Sequence, residues 1–284
     1  MKNFQFVIAS EAKQSNGIAS PAKRIGRVRN DKSWIPAFTG MTLVLAGCFL
    51  KPLPFQKGRP DYGVDITWHG HSCFTIKDSV NRTIVIDPFD ETVGYGRLRL
   101  KADAVLVTHN HFDHNHVQAV KARIKNIDLV DSTGTTSVAA GLDVNGVNAP
   151  HDDEAGDLYG LTRIYSFDMG GLRLVHLGDV GTPDLSPAVM GFIGRPDILF
   201  IPVGGFTTLD AKEAKELVDK IKPGAVIPMH YGDIRFYKLA PVTDFTQLFP
   251  EKDVVDLHDS HVRIRRADLK SEPVVYTFIP TRND

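Results

Sequence analysis

The stretch Thr108-His109-Asn110-His111-Phe112-Asp113-His114 decides how this chain reads. It places four potential metal donors, His109, His111, Asp113 and His114, within six residues. Imidazole and carboxylate are both good ligands for Zn2+, at roughly 2.0–2.2 Å. The run before it, ADAVLVT (102–108), is almost continuously apolar, as a buried strand should be. A loop leaving the C-terminal end of such a strand is where an α/β sheet presents its chemistry. Four groups on one loop cannot enclose two ions, so further ligands must come from elsewhere in the chain.

Working outward, the chain offers three. His151 follows the run GVNA (146–149). Asp179 closes HLGD (176–179) at the end of LRLVHLG (172–178). His230 stands in IPMHY (227–231) at the end of AVIPM (225–229). Taken singly, each would pass for an ordinary loop, turn or strand-end residue. Because each follows a β-like run, all three can converge with the 109–114 loop on one rim of the sheets.

The surrounding pattern predicts that sheet architecture. VDITW (64–68), CFTIK (73–77) and TIVIDPF (83–89) are β-branched and aromatic runs that read as consecutive strands. NHVQAVKARIK (115–125) has helical apolar spacing at Val117, Val120 and Ile124. DLVDS (128–132) and STGTTSVAAGL (132–142) read as a short strand and then a short helix. LTRIYSFDM (161–169) and LRLVHLG flank Gly170-Gly171, which predicts a hairpin. PDILFIPV (196–203) is a buried strand, AKEAKELVDKI (211–221) a helix capped by Asp210, and the C-terminal part is β-rich. No internal repeat is evident. The expectation is one α+β or α/β domain over 63–284, two sheets packed together with helices outside.

Seven separated blocks carry a resemblance: TWHGHSCF (67–74), IDPF (86–89), VTHNHFDH (107–114), APH (149–151), HLGD (176–179), IPVGG (201–205) and IPMHY (227–231). In this order they resemble the metallo-β-lactamase superfamily, and within it the metal-dependent hydrolases that include ascorbate-6-phosphate lactonase-like proteins. The resemblance runs over about 64–231. It implies an α+β fold, the αβ/βα four-layer sandwich of two mixed sheets with helices outside and metals at one edge. Carried over by position, His109, His111 and His151 resemble the ligands of one metal. Asp113, His114 and His230 resemble those of a second, and Asp179 the carboxylate bridging both. The implied reaction is hydrolysis of an ester, lactone, phosphodiester or amide in a small-molecule substrate. A hydroxide bridging two divalent ions roughly 3.5–4 Å apart would attack, with Asp113 as the catalytic residue that orients it. Ligand chemistry favours Zn2+, with Mn2+, Fe2+ or Ni2+ as alternatives. An iron-dependent redox branch typically has Glu where this chain has His111, together with a flavin domain, so redox chemistry is disfavoured. The alternatives are a non-catalytic metal-binding module and a nucleic-acid-processing phosphodiesterase.

Other residues take supporting roles in this reading. His69 and His71 match a family loop near the metal rim, as substrate contacts or as hydrogen-bond partners of a ligand. Asp87 in IDPF suits a partner for a ligand histidine, since metal-bound imidazole usually donates its other N–H to a carboxylate or carbonyl. His176, three residues before Asp179, can orient the site or donate a proton, or is a plain strand residue. His116 reads as a partner of a ligand or a surface residue. Asp152 and Asp153 read as solvated, Cys73 as a small buried apolar residue, and Gly204-Gly205 as a close backbone approach.

Composition narrows the classes further. The 284 residues are 42% apolar and 24% charged, ordinary for a soluble globular protein. Lys plus Arg total 33 against 34 Asp plus Glu, a net charge of −1, which argues against nucleic-acid binding through a broad basic face. Two cysteines exclude a disulfide scaffold and a four-cysteine zinc site. No apolar run approaches the ~20 residues that span a bilayer. Residues 1–62 lack periodicity and are expected to carry little packed structure. FVIASEAKQS (6–15) and SWIPAFTGMT (33–42) resemble translated copies of short repeat elements inserted in bacterial genomes. Leu45-Ala46-Gly47-Cys48 resembles a bacterial lipobox with lipid on Cys48, although the apolar stretch before it is short. The balance favours a cytoplasmic protein, with a lipoprotein tethered through Cys48 as the alternative. The sequence carries no reading of oligomeric state.

Overall fold

β-Branched and apolar runs form two sheets in the computed structural model, which describes residues 62–281 apart from 139–140 and 233–237. The repeat-like extension with the lipobox and Cys48 lies outside the described residues. The first sheet has six strands: β1 (Gly63–Gly70), β2 (Cys73–Asp78), β3 (Thr83–Ile86), β5 (Ala104–Leu106), β7 (Asp128–Val130) and β15 (His261–Arg265), in the order β15-β1-β2-β3-β5-β7. The second has eight. These are β8 (Gly134–Val138), β9 (Leu142–Pro150), β10 (Leu161–Met169), β11 (Leu172–His176), β12 (Ile198–Pro202), β13 (Ala225–Met229), β14 (Val254–Asp256) and β16 (Val274–Thr277). Their order is β14-β16-β13-β12-β11-β10-β9-β8. Two short strands, β4 (Leu100–Ala102) and β6 (Val120–Ala122), pair beside the first sheet.

The sheets pack face to face. Alternation sends Phe74 of β2 and Phe200 of β12 into the interface, where their rings meet edge to face at 4.8 Å. One continuous buried cluster joins β1, β2 and β3 to β10–β13 and reaches Ala214, Leu217, Val218 and Ile221 of helix α2 (Ala211–Ile221). All five residues of β12 and of β13 are buried, the pattern of central parallel strands covered on both faces. α2 begins with a capping box. Asp210 accepts from the Lys212 and Glu213 amides, and Glu213 accepts from the Asp210 amide. Helix α1 (Pro187–Ile193) has Ser186 as N-cap and proline at its start, and α3 (Thr243–Thr246) is a single turn. A second buried cluster, including Cys73, Val85, Phe89, Val105 and Val120, lies on the other side of the first sheet. This is the α+β sandwich of mixed sheets that the sequence predicts.

Two local expectations need correction. Residues 115–125 form no α-helix: a 3-10 turn over Val117–Ala119 runs into β6. Val120 is buried, but Ile124 is 87% exposed, so the three apolar residues do not share a buried face. Pairing with β4 supplies the backbone partners that helical bonds would have given. Within 132–142, Gly134–Val138 is the edge strand β8, in keeping with Thr135 and Thr136, which fit a pleated surface.

Strand direction decides where the chemistry goes. β1 is antiparallel to β2 and β2 to β3, while β3 and β5 are parallel. The C-terminal ends of β1, β3 and β5 therefore lie on one edge. In the second sheet β9 and β11 are each antiparallel to β10, and β11, β12 and β13 are parallel. The ends of β9, β11 and β13 thus share an edge too. A backbone hydrogen bond from His230 N–H, after β13, to His71 C=O, after β1, joins these two edges.

Candidate metal centre

Each residue of the site follows one of those strand ends. His71 follows β1, Asp87 follows β3, and His109, His111, Asp113 and His114 follow β5. His151 follows β9, Asp179 follows β11, and His230 follows β13. Three groups of potential donor atoms result, each with its atoms within 4.8 Å of one another: His109, His111 and His151; His109, His114 and Asp179; and His71, Asp113, His114 and His230. All seven residues read from the sequence as ligands are brought together, and His71 joins them.

Asp179 stands at the centre. Its Oδ2 lies 3.1 Å from His114 Nε2, 3.1 Å from His230 Nε2, 3.6 Å from His151 Nε2 and 3.8 Å from His109 Nε2. The turn before it requires glycine. Gly178 has φ +59°, and a Cβ there would run into Thr162 Oγ1. His176 Nδ1 accepts the Gly178 amide at 3.1 Å, and its ring packs against Phe74 and Phe200. It braces the turn from inside the sandwich rather than reaching the donor groups.

Asp87 fixes the orientation of the motif loop. It is fully buried and accepts from Thr108 N–H at 2.8 Å, Thr108 O–H at 2.7 Å and His114 Nδ1–H at 3.0 Å. Because the Thr108 hydroxyl donates to Asp87, its oxygen is left to accept from His109 Nδ1–H at 2.9 Å. His151 Nδ1 donates to the Thr207 carbonyl at 3.2 Å. Three imidazoles thus have their Nδ1–H groups engaged, which turns Nε2 of each toward the cluster. Asp87 is thus the hydrogen-bond partner of His114, one of the histidines read from the sequence as a ligand.

Electrostatics leave a donor set suited to a cation. Burial pushes the His109 imidazole well below its usual range, helped by His114 and His151, and lowers His111 in the same way. Burial, with His230 adding, brings His71 down to about 4. Burial alone would raise the carboxyls. His114 and His230 overcome it at Asp179, and His114 and His71 at Asp113, so both stay ionised. His114 is the exception: burial opposes its charge, but Asp179, Asp113 and Asp87 hold its pKa well above the usual value.

The fit to a metal rests on atoms left unmet. His71 Nδ1 and Nε2, His109 Nε2, His114 Nε2, His230 Nδ1 and Asp179 Oδ1 are buried without a hydrogen-bond partner. Each such atom costs about 1–3 kcal/mol if nothing satisfies it. Concentrating them where donors converge is what a cation site does and a structural core avoids.

The remaining expectations divide. His69 is buried but stands apart from the donor groups, its ring nitrogens 3.1 Å from Thr281 Oγ1 and 2.8 Å from Thr75 Oγ1. His116 is half-exposed, 3.8 Å from Asp90. Asp152 is not solvated. Its buried side chain accepts from the amides of Glu154, Gly156, Leu158 and Tyr159, pinning loop 152–160 beside His151. Gly204 makes the close approach read from the sequence, since a Cβ there would meet the His230 carbonyl. His71, read from the sequence as a substrate contact or a partner of a ligand, shares a donor group with Asp113, His114 and His230. The signal available was its position in a Gly-His-Ser turn directly after a strand.

A family model described as the β-lactamase superfamily domain matches residues 65–230. The chain belongs to the metallo-β-lactamase superfamily. A UPF0173 protein of Pyrococcus abyssi is 32% identical over 180 residues, 59% of this chain and 83% of that protein. A UPF0173 metal-dependent hydrolase of Thermoplasma acidophilum is 31% identical over 198 residues, 62% of this chain and 87% of that one. The crystal structure of a candidate zinc-dependent hydrolase of the superfamily from Thermotoga maritima is similar at a TM-score of 0.61 and 33% identity, covering 75% of this chain and 97% of that chain. Among the described residues no helix is long and apolar enough to cross a membrane.

Proposed function

We propose that this hydrolase of the metallo-β-lactamase superfamily works with two divalent cations. His109, His111 and His151 would hold one, Asp113, His114 and His230 the other, and Asp179 would lie between them. The observation that carries the reading is the single Asp179 oxygen within 3.8 Å of four imidazole nitrogens. A set of imidazoles and carboxylates without thiolate favours Zn2+, with Mn2+, Fe2+ or Ni2+ as alternatives. When bound, the cations supply a nucleophile from water near neutral pH and stabilise the charge that develops at the attacked centre.

The chain's own residues do the rest. Asp113 stays ionised and can orient the attacking water or take its proton. Asp87, Thr108 and the Thr207 carbonyl aim the imidazoles. The Asp152-pinned loop sets Tyr159 5.8 Å from the His151 ring and leaves Leu158 exposed beside it. These groups give the rim an apolar contact for a small-molecule ester, lactone, phosphodiester or amide. The short apolar stretch before Cys48 favours a cytoplasmic protein, and cell fractionation would decide against tethering through that residue.

Metal analysis of protein purified without chelator should find close to two ions per chain. Turnover can be screened on lactones, phosphodiesters, thioesters and β-lactams. Asp113→Ala should lower it by ~10²-fold or more with an unchanged circular dichroism spectrum. A folded, metal-free and fully active protein would overturn the reading.

A further inference from the structure

His71 is held in the turn between β1 and β2 with its backbone in the left-handed region, φ 51°. Its carbonyl accepts from the Trp68 indole N–H at 3.0 Å and the His230 amide at 3.2 Å, which fixes the turn. The imidazole is fully buried, its centroid 4.2 Å from that of His230 and 5.0 Å from that of His114. Nε2 lies 3.2 Å from Asp113 Oδ2, yet neither ring nitrogen is aligned in a hydrogen bond. Such a ring is costly to bury unless something else takes its lone pair. Its donor atom shares one 4.8 Å cluster with those of Asp113, His114 and His230.

Building on the dinuclear reading, we propose that His71 is a further ligand of the second cation, and that the two cations are consequently held unequally. The second sits in a closed cage of four donors of its own, all buried. The first has three imidazoles, of which His111 is only half-buried. Closed donor sets retain their metal, whereas catalytic sites keep a coordination position open. The first cation is therefore the exchangeable one that meets substrate, and the second is the resident one that completes the edge.

The experiment is calorimetric titration of the chelator-stripped full chain with Zn2+, paired with visible absorption of the Co2+-loaded protein, which weakens as coordination number rises. Two unequal binding events are expected. His71→Asn, chosen because asparagine tolerates the left-handed backbone, should weaken the tighter event by at least about 10-fold and intensify the Co2+ absorption. His111→Ala should weaken or abolish only the looser event. Two events that both survive His71→Asn unchanged would overturn the proposal and leave the dinuclear reading standing. So would equal affinities in the wild type, a result that decides the matter even if His71→Asn fails to fold. Failure of the wild type to take up two ions would overturn the dinuclear reading itself.

Discussion

At the scale of single residues, the centre depends on side chains that never reach a metal. Asp87 collects three donors, two from Thr108 and one from His114, and through Thr108 it also reaches His109. One buried carboxylate thus sets the direction of two proposed ligands belonging to different cations. Asp87→Asn keeps the shape but turns one acceptor oxygen into a donor, which cannot face both a hydroxyl that donates and an imidazole N–H. Zn2+ affinity measured by competition with a chromophoric chelator should fall by ~10–100-fold, with near-wild-type secondary structure. Asp152 shows how a residue type misleads when read alone. An aspartate after a ligand histidine looks solvated, but here burial pushes its carboxyl up and four loop amides more than offset it, holding it below the usual carboxylate range. Only the fold reveals that loop 152–160 closes around it.

At the scale of elements, strands place the donors and turns aim them. His71, Asp87 and His230 all adopt left-handed backbones directly after strands, with φ of 51°, 45° and 53°. Such conformations cost roughly 1–2 kcal/mol each for residues with a Cβ, and persist where surrounding contacts impose them. Helix α2 has the opposite role: it covers the second sheet and carries none of the donors. Its capping box should therefore be separable from metal uptake. Asp210→Ala should destabilise the fold by about 1 kcal/mol, seen as a lower denaturant midpoint at unchanged slope, with the metal stoichiometry intact. The misread segment 115–125 belongs at this scale as well. Three apolar residues at helical spacing are a weak signal over so short a run. Val120 found its burial against the first sheet through β4–β6 pairing instead.

At the scale of the whole molecule, the metal centre is the seam between two sheets. Donors following β1 and β5 meet donors following β9, β11 and β13, and without cations they bring several unmet polar atoms into one buried place. Metal binding should accordingly stabilise the entire fold. At a free concentration about 100-fold above its Kd, each cation contributes ~2.7 kcal/mol. For a domain of this size that corresponds to a rise in Tm of roughly 5–10 °C over chelator-treated protein. Scanning calorimetry with and without chelator checks it, and an unchanged Tm would mean that the seam is not held by metal.

What the sequence determined by itself was chemical identity and local order. His109, His111, Asp113 and His114 stand on one loop after a buried strand, and His151, Asp179 and His230 each stand at the end of a β-like run. Composition and spacing suffice for that, because a strand's apolar pattern is local and its end marks where a side chain can leave the core. Tertiary structure alone decided that His71 joins the donors, that Asp87 steers two imidazoles, and that Asp152 is locked in its loop. Those outcomes depend on which sheet edges meet and which way rings turn once buried. They are fixed by contacts between residues far apart in the chain, such as the hydrogen bond from His230 to His71, which no periodicity records.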